Sequence, residues 1–465
     1  MKVQYIDLVT QSFDFPQKEF NVNASGQLSF HGINLMPLII KYGTPLKLTF
    51  LPQISNNIQR AKHWFHSSMN RLNYEGKYNY CYCTKSSHFS FVMDEVLKND
   101  VHIETSSAFD IDIVNNLIEK NKISKENYII CNGFKREQYI DNIADLINRG
   151  FYNTIPILDN DDELELLQEK IETPFQIGIR IASEEEPKFE FYTSRLGIGY
   201  QDILPFYREY LKNNKNVKLK MLHFFINTGI KDTAYYWNEL SKCLSVYASL
   251  KKICPELDSL NIGGGFPIKN SLNFEYDYAG MVDEIILQIQ NTCKQENVPT
   301  PHIFTEFGSF TVGESGAIIY SVLHQKKQND REQWNMINSS FITTLPDTWA
   351  ISKKFLMLPI NRWYDSYERV FLGGLTCDSD DYYNSEQHTN AIHLPKFNRD
   401  RTLHIGFFNT GAYQDTIGGF GGLQHCLIPQ PQHVVLNYDK NGVLTSELFA
   451  EEQTPKQMLD ILGYK

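Results

Sequence analysis

Eight short apolar runs alternate with amphipathic helical stretches between residues 78 and 308, and no other feature of the chain narrows its fold so far. The runs are Tyr78 to Cys83, Val101 to Ser106, Tyr128 to Gly133, Thr154 to Asp159, Gln176 to Ala182, Leu219 to Ile226, Leu257 to Ile262 and His302 to Glu306. Strand and helix in regular alternation is the signature of a parallel sheet with helical crossovers. Between the runs Phe89, Val92, Met93, Val96 and Leu97 recur at helical spacing, as do Leu240, Cys243, Leu244, Tyr247 and Ala248, so each set forms one buried stripe. Eight strands of this kind satisfy closure of a (β/α)₈ barrel. An open doubly wound sheet fits the same pattern, so the alternation alone leaves both standing.

Beyond about residue 320 the texture changes to short runs, Phe355 to Leu358, Val370 to Leu372, Leu403 to Phe408 and His433 to Leu436, separated by Gly, Pro and Asn/Asp turns. That reads as a second, all-β domain. Leu28 to Phe30 and Pro45 to Phe50 are strand-like too and precede the eight runs, so the N-terminal segment is expected to complete the same β domain. The expected organisation is 1–50 as N-terminal strands, 51–320 as the barrel and 321–465 as the C-terminal β domain. A chain of 465 residues is long enough for that division.

The balance of 44 Lys+Arg against 55 Asp+Glu gives a net charge of −11 without a basic cluster, a surface that offers a phosphate backbone little to hold. A nucleic-acid partner is not expected. No apolar run reaches the ~18 residues of a membrane span, and Met1 to Asp7 lacks the apolar core of a secretory signal, so a cytoplasmic location is expected. The eight cysteines show no CxxC pair and no metal-ligand spacing, so neither a disulfide framework nor a metal site is expected.

In a barrel the chemistry sits at the C-terminal ends of the strands. The residues there are unusually polar: Lys85, Glu104 with Thr105, Ser106 and Ser107, Asn132, Asp159, Arg180, Asn227, Thr228, Gly263 to Gly265, and Glu306. A lone strand-end lysine is ordinarily a solvated rim residue. Gly263-Gly264-Gly265 is more specific, because three backbone N–H groups without side chains can turn inward around a phosphate, although a tight turn after a buried strand explains it too.

Tyr82-Cys83-Thr84-Lys85, Ile103-Glu104-Thr105-Ser106-Ser107, Leu222-His223-Phe224-Phe225, Gly263-Gly264-Gly265-Phe266-Pro267, Glu306-Phe307-Gly308, Thr376-Cys377-Asp378-Ser379-Asp380 and Gly411-Ala412-Tyr413 follow one another in a recognisable order. In that order the chain resembles the fold-type-III pyridoxal-phosphate enzymes, the ornithine, diaminopimelate and arginine decarboxylases, from about residue 45 to 420. Leu345-Pro346-Asp347-Thr348-Trp349-Ala350-Ile351 and Ile405 to Gln414 resemble the biosynthetic arginine decarboxylases in particular.

The resemblance implies decarboxylation of a basic L-amino acid, arginine foremost, by a homodimer or larger assembly with shared active sites. Ornithine, lysine, diaminopimelate or carboxynorspermidine remain as alternative substrates, and a non-catalytic relative or a racemase as alternative activities. It implies that Lys85 is the Schiff-base lysine, and that Glu306 bonds the pyridine nitrogen, with Glu314 a lesser candidate. Gly263, Gly264, Gly265, Thr228 and Tyr413 match phosphate ligands, and Arg180 and Glu104 match positions near the ring. Cys377 matches the residue that reprotonates the α-carbon from the partner subunit. Asp378, with Asp380 close by, matches the carboxylate that receives the cationic end of the substrate. Mg²⁺ is indicated by no motif and is left open only because some arginine decarboxylases use it. Three departures stand out: Phe225 where many relatives stack a histidine, Ser309 where they have arginine, and Asn227 in place of a glycine.

Overall fold

All eight runs form strands, and the strands close on themselves. In the computed structural model, which describes residues 4, 6, 7, 9, 15–184, 193–330, 332–383 and 392–464, they are Tyr78–Cys83, His102–Thr105, Ile129–Cys131, Thr154–Leu158, Phe175–Ala182, Val217–His223, Ser259–Asn261 and His302–Phe307. Each pairs in parallel with the next. The eighth then pairs with the first, with Glu306 opposite Cys81, which completes the barrel. The open sheet is excluded.

Strands buried on both faces need no polar alternation, which is why these read as continuous apolar runs. Cys81, Ile130, Ile155, Ile157, Met221 and Phe304 pack together as one buried cluster of barrel-strand side chains. Gly178 admits no side chain against this cluster: a Cβ there would lie 2.4 Å from Ile157 Cδ1 and 3.3 Å from Met221 Cβ. The helices Ser90–Leu97, Ala108–Glu119, Glu137–Asn148, Asp162–Lys170, Ala234–Lys251 and Tyr278–Gln295 follow their strands. Val92, Met93 and Val96 are buried as their spacing requires, and so are Leu240, Cys243, Leu244, Tyr247 and Ala248. Three of these helices start on side-chain caps, Ser107, Thr233 and Asp277, each accepting from a backbone N–H of the first turn.

One buried ion pair pins the turns after the third and fourth strands. Lys135 Nζ lies 3.0 Å from Glu163 Oε2 and 2.8 Å from Gly133 O, and it also donates to Ile157 O. Glu163 in turn accepts from the backbone N–H groups of Lys135 and Asp159. Every charge in this knot has a partner.

The barrel unit spans residues 54–267 and 276–311; the second unit comprises residues 1–53, 268–275 and 312–465 and is mostly sheet. Its longest strand, Gly316–Lys327, pairs antiparallel with Leu46–Phe50, His404–Phe408 and Gln333–Ile337. Leu46–Phe50 also runs parallel to Gln432–Tyr438, so the N-terminal segment does complete this sheet. Two apolar clusters fill the unit, one around Phe20, Phe30, Leu48, Trp363 and Phe408, the other around Tyr320, Phe341, Val370 and Phe407. Among the described residues no helix is long and apolar enough to cross a membrane.

Candidate active site

At the end of the first barrel strand the backbone turns once, over Thr84–Ser86. Ser86 Oγ donates to Cys83 O at 2.8 Å and Thr84 Oγ1 to Glu104 O at 3.1 Å, so the turn that carries Lys85 is held on both sides. Lys85 Nζ lies 3.0 Å from each oxygen of Glu104 and 3.3 Å from Ser106 Oγ. Glu104 is fully buried at the end of the second strand. The Lys85 side chain is 43% exposed and is paired with Glu104. Glu104 therefore serves as the lysine's partner.

A single amide ties this pair to Glu306. Asn132 Nδ2 donates to Glu104 Oε1 at 3.0 Å and to Glu306 Oε1 at 2.9 Å, at the end of the third strand. Glu306 Oε1 also accepts from Asn261 Nδ2 at 2.6 Å, and Oε2 lies 3.4 Å from His223 Nε2. Burial alone would raise the Glu306 carboxyl. The charges of His223 and Lys85 and the hydrogen bond from Asn132 outweigh it and hold the group down at about 2. Glu306 is thus a buried, immobile carboxylate. Asn132, Asn261, His223 and Ser106 were not given roles from the sequence. The spacing Asn261-x-Gly263 was the available signal, since Asn261 Oδ1 accepts from Gly263 N at 2.9 Å.

That bond corrects one expectation. Of the three glycine N–H groups expected to turn inward, that of Gly263 is engaged by Asn261 within the loop itself. The glycines are required by close backbone approach: a Cβ on Gly264 would lie 2.0 Å from Glu306 O, and one on Gly265, at φ +107°, would lie 2.6 Å from Gly229 Cα. Gly265 O accepts from Ile230 N, which sets the turn containing Asn227 and Thr228 beside the glycine run. Thr228 is half-buried there.

Arg180, at the far end of the fifth strand, is largely buried, and burial lowers its pKa against the opposing charges of Glu306, Asp159 and Glu104. Its Cζ lies 5.6 Å from the Phe225 ring centre, so the phenyl ring that replaces a histidine keeps an aromatic face and takes a cation on it. The buried atoms Arg180 Nε and Asn132 Oδ1 have no hydrogen-bond partner. Unpaired polar atoms beside an amine and an ionised carboxylate fit a ligand that is itself polar. A primary amine for a carbonyl, a fixed carboxylate for a pyridine N–H and a glycine loop for a phosphate together suit pyridoxal phosphate.

Cys377, Asp378, Asp380 and Tyr413 belong to the sheet unit. Cys377, Asp378 and Asp380 are exposed on one loop. The loop is anchored by buried Asp381, which accepts from Thr376 N and Oγ1 through Oδ2 and from Phe341 N and Ser340 Oγ through Oδ1. Asp378 Oδ1 accepts from Asp380 N at 2.9 Å, and Oδ2 lies 3.3 Å from His425 Nε2. Asp381, His425 and Cys426 gave no signal in sequence. Tyr413 stands at φ +69° before the helix Gln414–Ile417, whose Gln414 Nε2 donates to Asp347 Oδ2 at 2.8 Å. Glu314, the lesser candidate beside Glu306, lies in the same unit and accepts from Gln53 Nε2 at 3.0 Å.

Residues 55–313 match the family model described as pyridoxal-dependent decarboxylase, pyridoxal binding domain. A protein named biosynthetic arginine decarboxylase from Prochlorococcus marinus (strain MIT 9515) is 22% identical, over 96% of this chain and 88% of its own length. One of the same name from Geobacter sp. (strain M21) is 21% identical, over 87% and 84%. Among solved structures, the biosynthetic arginine decarboxylase of Campylobacter jejuni superposes with a TM-score of 0.82 at 19% identity, covering 99% of this chain and 91% of that one. A diaminopimelate decarboxylase from M. jannaschii gives 0.79 at 18% identity, covering 95% and 97%.

Proposed function

The chain belongs to the pyridoxal-dependent decarboxylases, and from that premise we propose that it removes the α-carboxylate of L-arginine, releasing agmatine and CO₂ for polyamine synthesis, as a cytosolic homodimer. One observation carries the choice of substrate. The two stretches that resemble arginine decarboxylases, Leu345 to Ile351 and Ile405 to Gln414, are bonded to each other through Asp347 and Gln414. They make one piece of the sheet unit, ending beside Tyr413. The names carried by the relatives agree with this reading.

When bound, pyridoxal phosphate would supply a protonated ring as the sink for the electron pair left by CO₂. Lys85 would hold the carbonyl end of the cofactor, its Nζ aimed by Glu104 and Ser106. Glu306 keeps the ring nitrogen protonated. An anion fixed by Asn132, Asn261 and His223 needs no reorganisation as charge shifts, which is the source of electrostatic catalysis. Gly264, Gly265 and Thr228 would hold the phosphate, with Arg180 and Phe225 beside the ring. Cys377 of one subunit delivers the proton to the α-carbon in the other subunit's site, and Asp378, with Asp380 shaping its turn, receives the guanidinium.

Incubation with arginine, ornithine, lysine, diaminopimelate and carboxynorspermidine, followed by chromatography of the amines, tests the substrate. Agmatine is the expected main product. Putrescine, cadaverine, lysine or norspermidine would reassign it, and no product from a cofactor-loaded protein would favour a non-catalytic role.

Mixing tests the shared site. Lys85→Ala and Cys377→Ala are each expected to be inactive, whereas after subunit exchange half the dimers are hybrids with one intact site of two. About a quarter of wild-type activity should return, by counting sites under two-fold symmetry. No recovery after verified exchange would place all the catalytic groups in one chain.

A further inference from the structure

Six of the eight cysteines are buried, and the two exposed ones face each other. Cys377 Sγ lies 3.8 Å from Cys426 Sγ, although 49 residues separate them in sequence. The residue after Cys377 is also tied to the residue before Cys426, Asp378 Oδ2 lying 3.3 Å from His425 Nε2. Two adjacent cross-contacts thus hold one loop to the other. We propose that Cys377 and Cys426 are a site of oxidative modification, closed to a disulfide by a hydroperoxide and reopened by a dithiol.

Geometry favours the closure. A disulfide brings its sulfurs to about 2.05 Å. From contact distance, in loops exposed to solvent, side-chain rotation supplies most of the remaining approach. The base of the Cys377 loop stays anchored on Asp381 throughout, because Thr376, Ser340 and Phe341 all bond that buried carboxylate.

Selectivity follows from the other six thiols. Burial raises every one of them, Cys131 to about 12 and Cys293 to about 11, and keeps reagents away. A thiol that holds its proton is a poor nucleophile. Within the exposed pair the Cys377 thiol is raised by its contact with Cys426 and by Asp378.

The chemistry balances with hydrogen peroxide as oxidant. Cys426 sulfur attacks one peroxide oxygen and the O–O bond breaks; the thiol becomes a sulfenic acid and one water leaves. Cys377 sulfur then attacks Cys426 sulfur, the S–O bond breaks, and the Cys377 proton leaves with the hydroxide as a second water. Two thiols are oxidised and one peroxide is reduced.

The consequence for turnover rests on the proposed role of Cys377 as proton donor, whereas the cross-link itself does not. The test treats cofactor-loaded protein with hydrogen peroxide, blocks the remaining thiols and digests with trypsin without reductant. Residues 370–396 and 402–440 form tryptic peptides holding one cysteine each, so the cross-link appears as one mass that dithiothreitol splits. The expected result is that cross-link, a loss of two titratable thiols, and an activity loss of at least tenfold that dithiothreitol reverses. Cys426→Ser should keep basal activity and form no cross-link. A cross-link without loss of activity would support the modification site and remove Cys377 from the reaction. No cross-link, with both cysteines alkylated by iodoacetamide in the folded protein, would overturn the proposal.

Discussion

Lys85→Ala is expected to bring decarboxylation to background and to remove the visible absorption of the bound cofactor. A loss of three powers of ten in rate, the least expected here, corresponds to about 4 kcal/mol at the barrier. The reasoning is geometric. Lys85 is the amine at a strand end that Glu104 and Ser106 both aim, and alanine supplies no nitrogen for a carbonyl. Alanine also leaves Glu104 without its cation, so a loss of activity alone could reflect a disturbed barrel. Lys85→Arg separates the two, because a guanidinium keeps the charge beside Glu104 but forms no Schiff base. Both variants should be inactive, and the arginine variant should retain the wild-type melting temperature. Turnover within tenfold of wild type in the arginine variant would show that Lys85 is not the covalent residue.

Lys135→Met is expected to destabilise the barrel by about 3 to 5 kcal/mol, the range for breaking a buried ion pair by removing one partner. Lys135 is 2% exposed and Glu163 1%, so neither charge can turn to water. Methionine fills most of the volume but leaves Glu163 as a buried anion, still held by the N–H groups of Lys135 and Asp159. Adding Glu163→Gln should restore part of the loss, since it removes the buried charge while its single amide oxygen keeps one of the two backbone donors, Lys135 N or Asp159 N, that bond separate oxygens of Glu163. Denaturant unfolding measures both. A change below about 1 kcal/mol for Lys135→Met, at the level of an exposed pair, would mean that the site admits water.

The barrel was legible because its strands carry few polar residues, and the misreadings fall where that signal outlasts the pairing. Leu219 to Ile226 reads as one run because Phe224, Phe225 and Ile226 are apolar, yet the strand stops at His223. Beyond it Phe224 is buried by the loop, and Phe225 turns to Arg180. Ser259–Asn261 is likewise half the expected length, because Asn261 is already engaged with Glu306 and Gly263. In the site, Lys85, Glu104 and Glu306 could be read individually as polar residues at strand ends. Their connections could not. Asn132 meets Glu306 across 174 residues and Glu104 across 28, distances that no local pattern spans. The same holds for Cys377 and Cys426, and for Asp381, which reads as one more acid in an acidic turn and proves to be its buried anchor.

The link between Asp347 and Gln414 bears on how such a chain can change over generations. Asp347 N donates to Gln414 Oε1 and Gln414 Nε2 donates back to Asp347 Oδ2, both residues being buried, while Lys353 neutralises the carboxylate from outside. Replacing either one alone strands a polar group of the other away from water. The two stretches are therefore constrained to be inherited as a unit: a descendant that remodels one of them must find the matching change 67 residues away, or pass through an intermediate that folds less well.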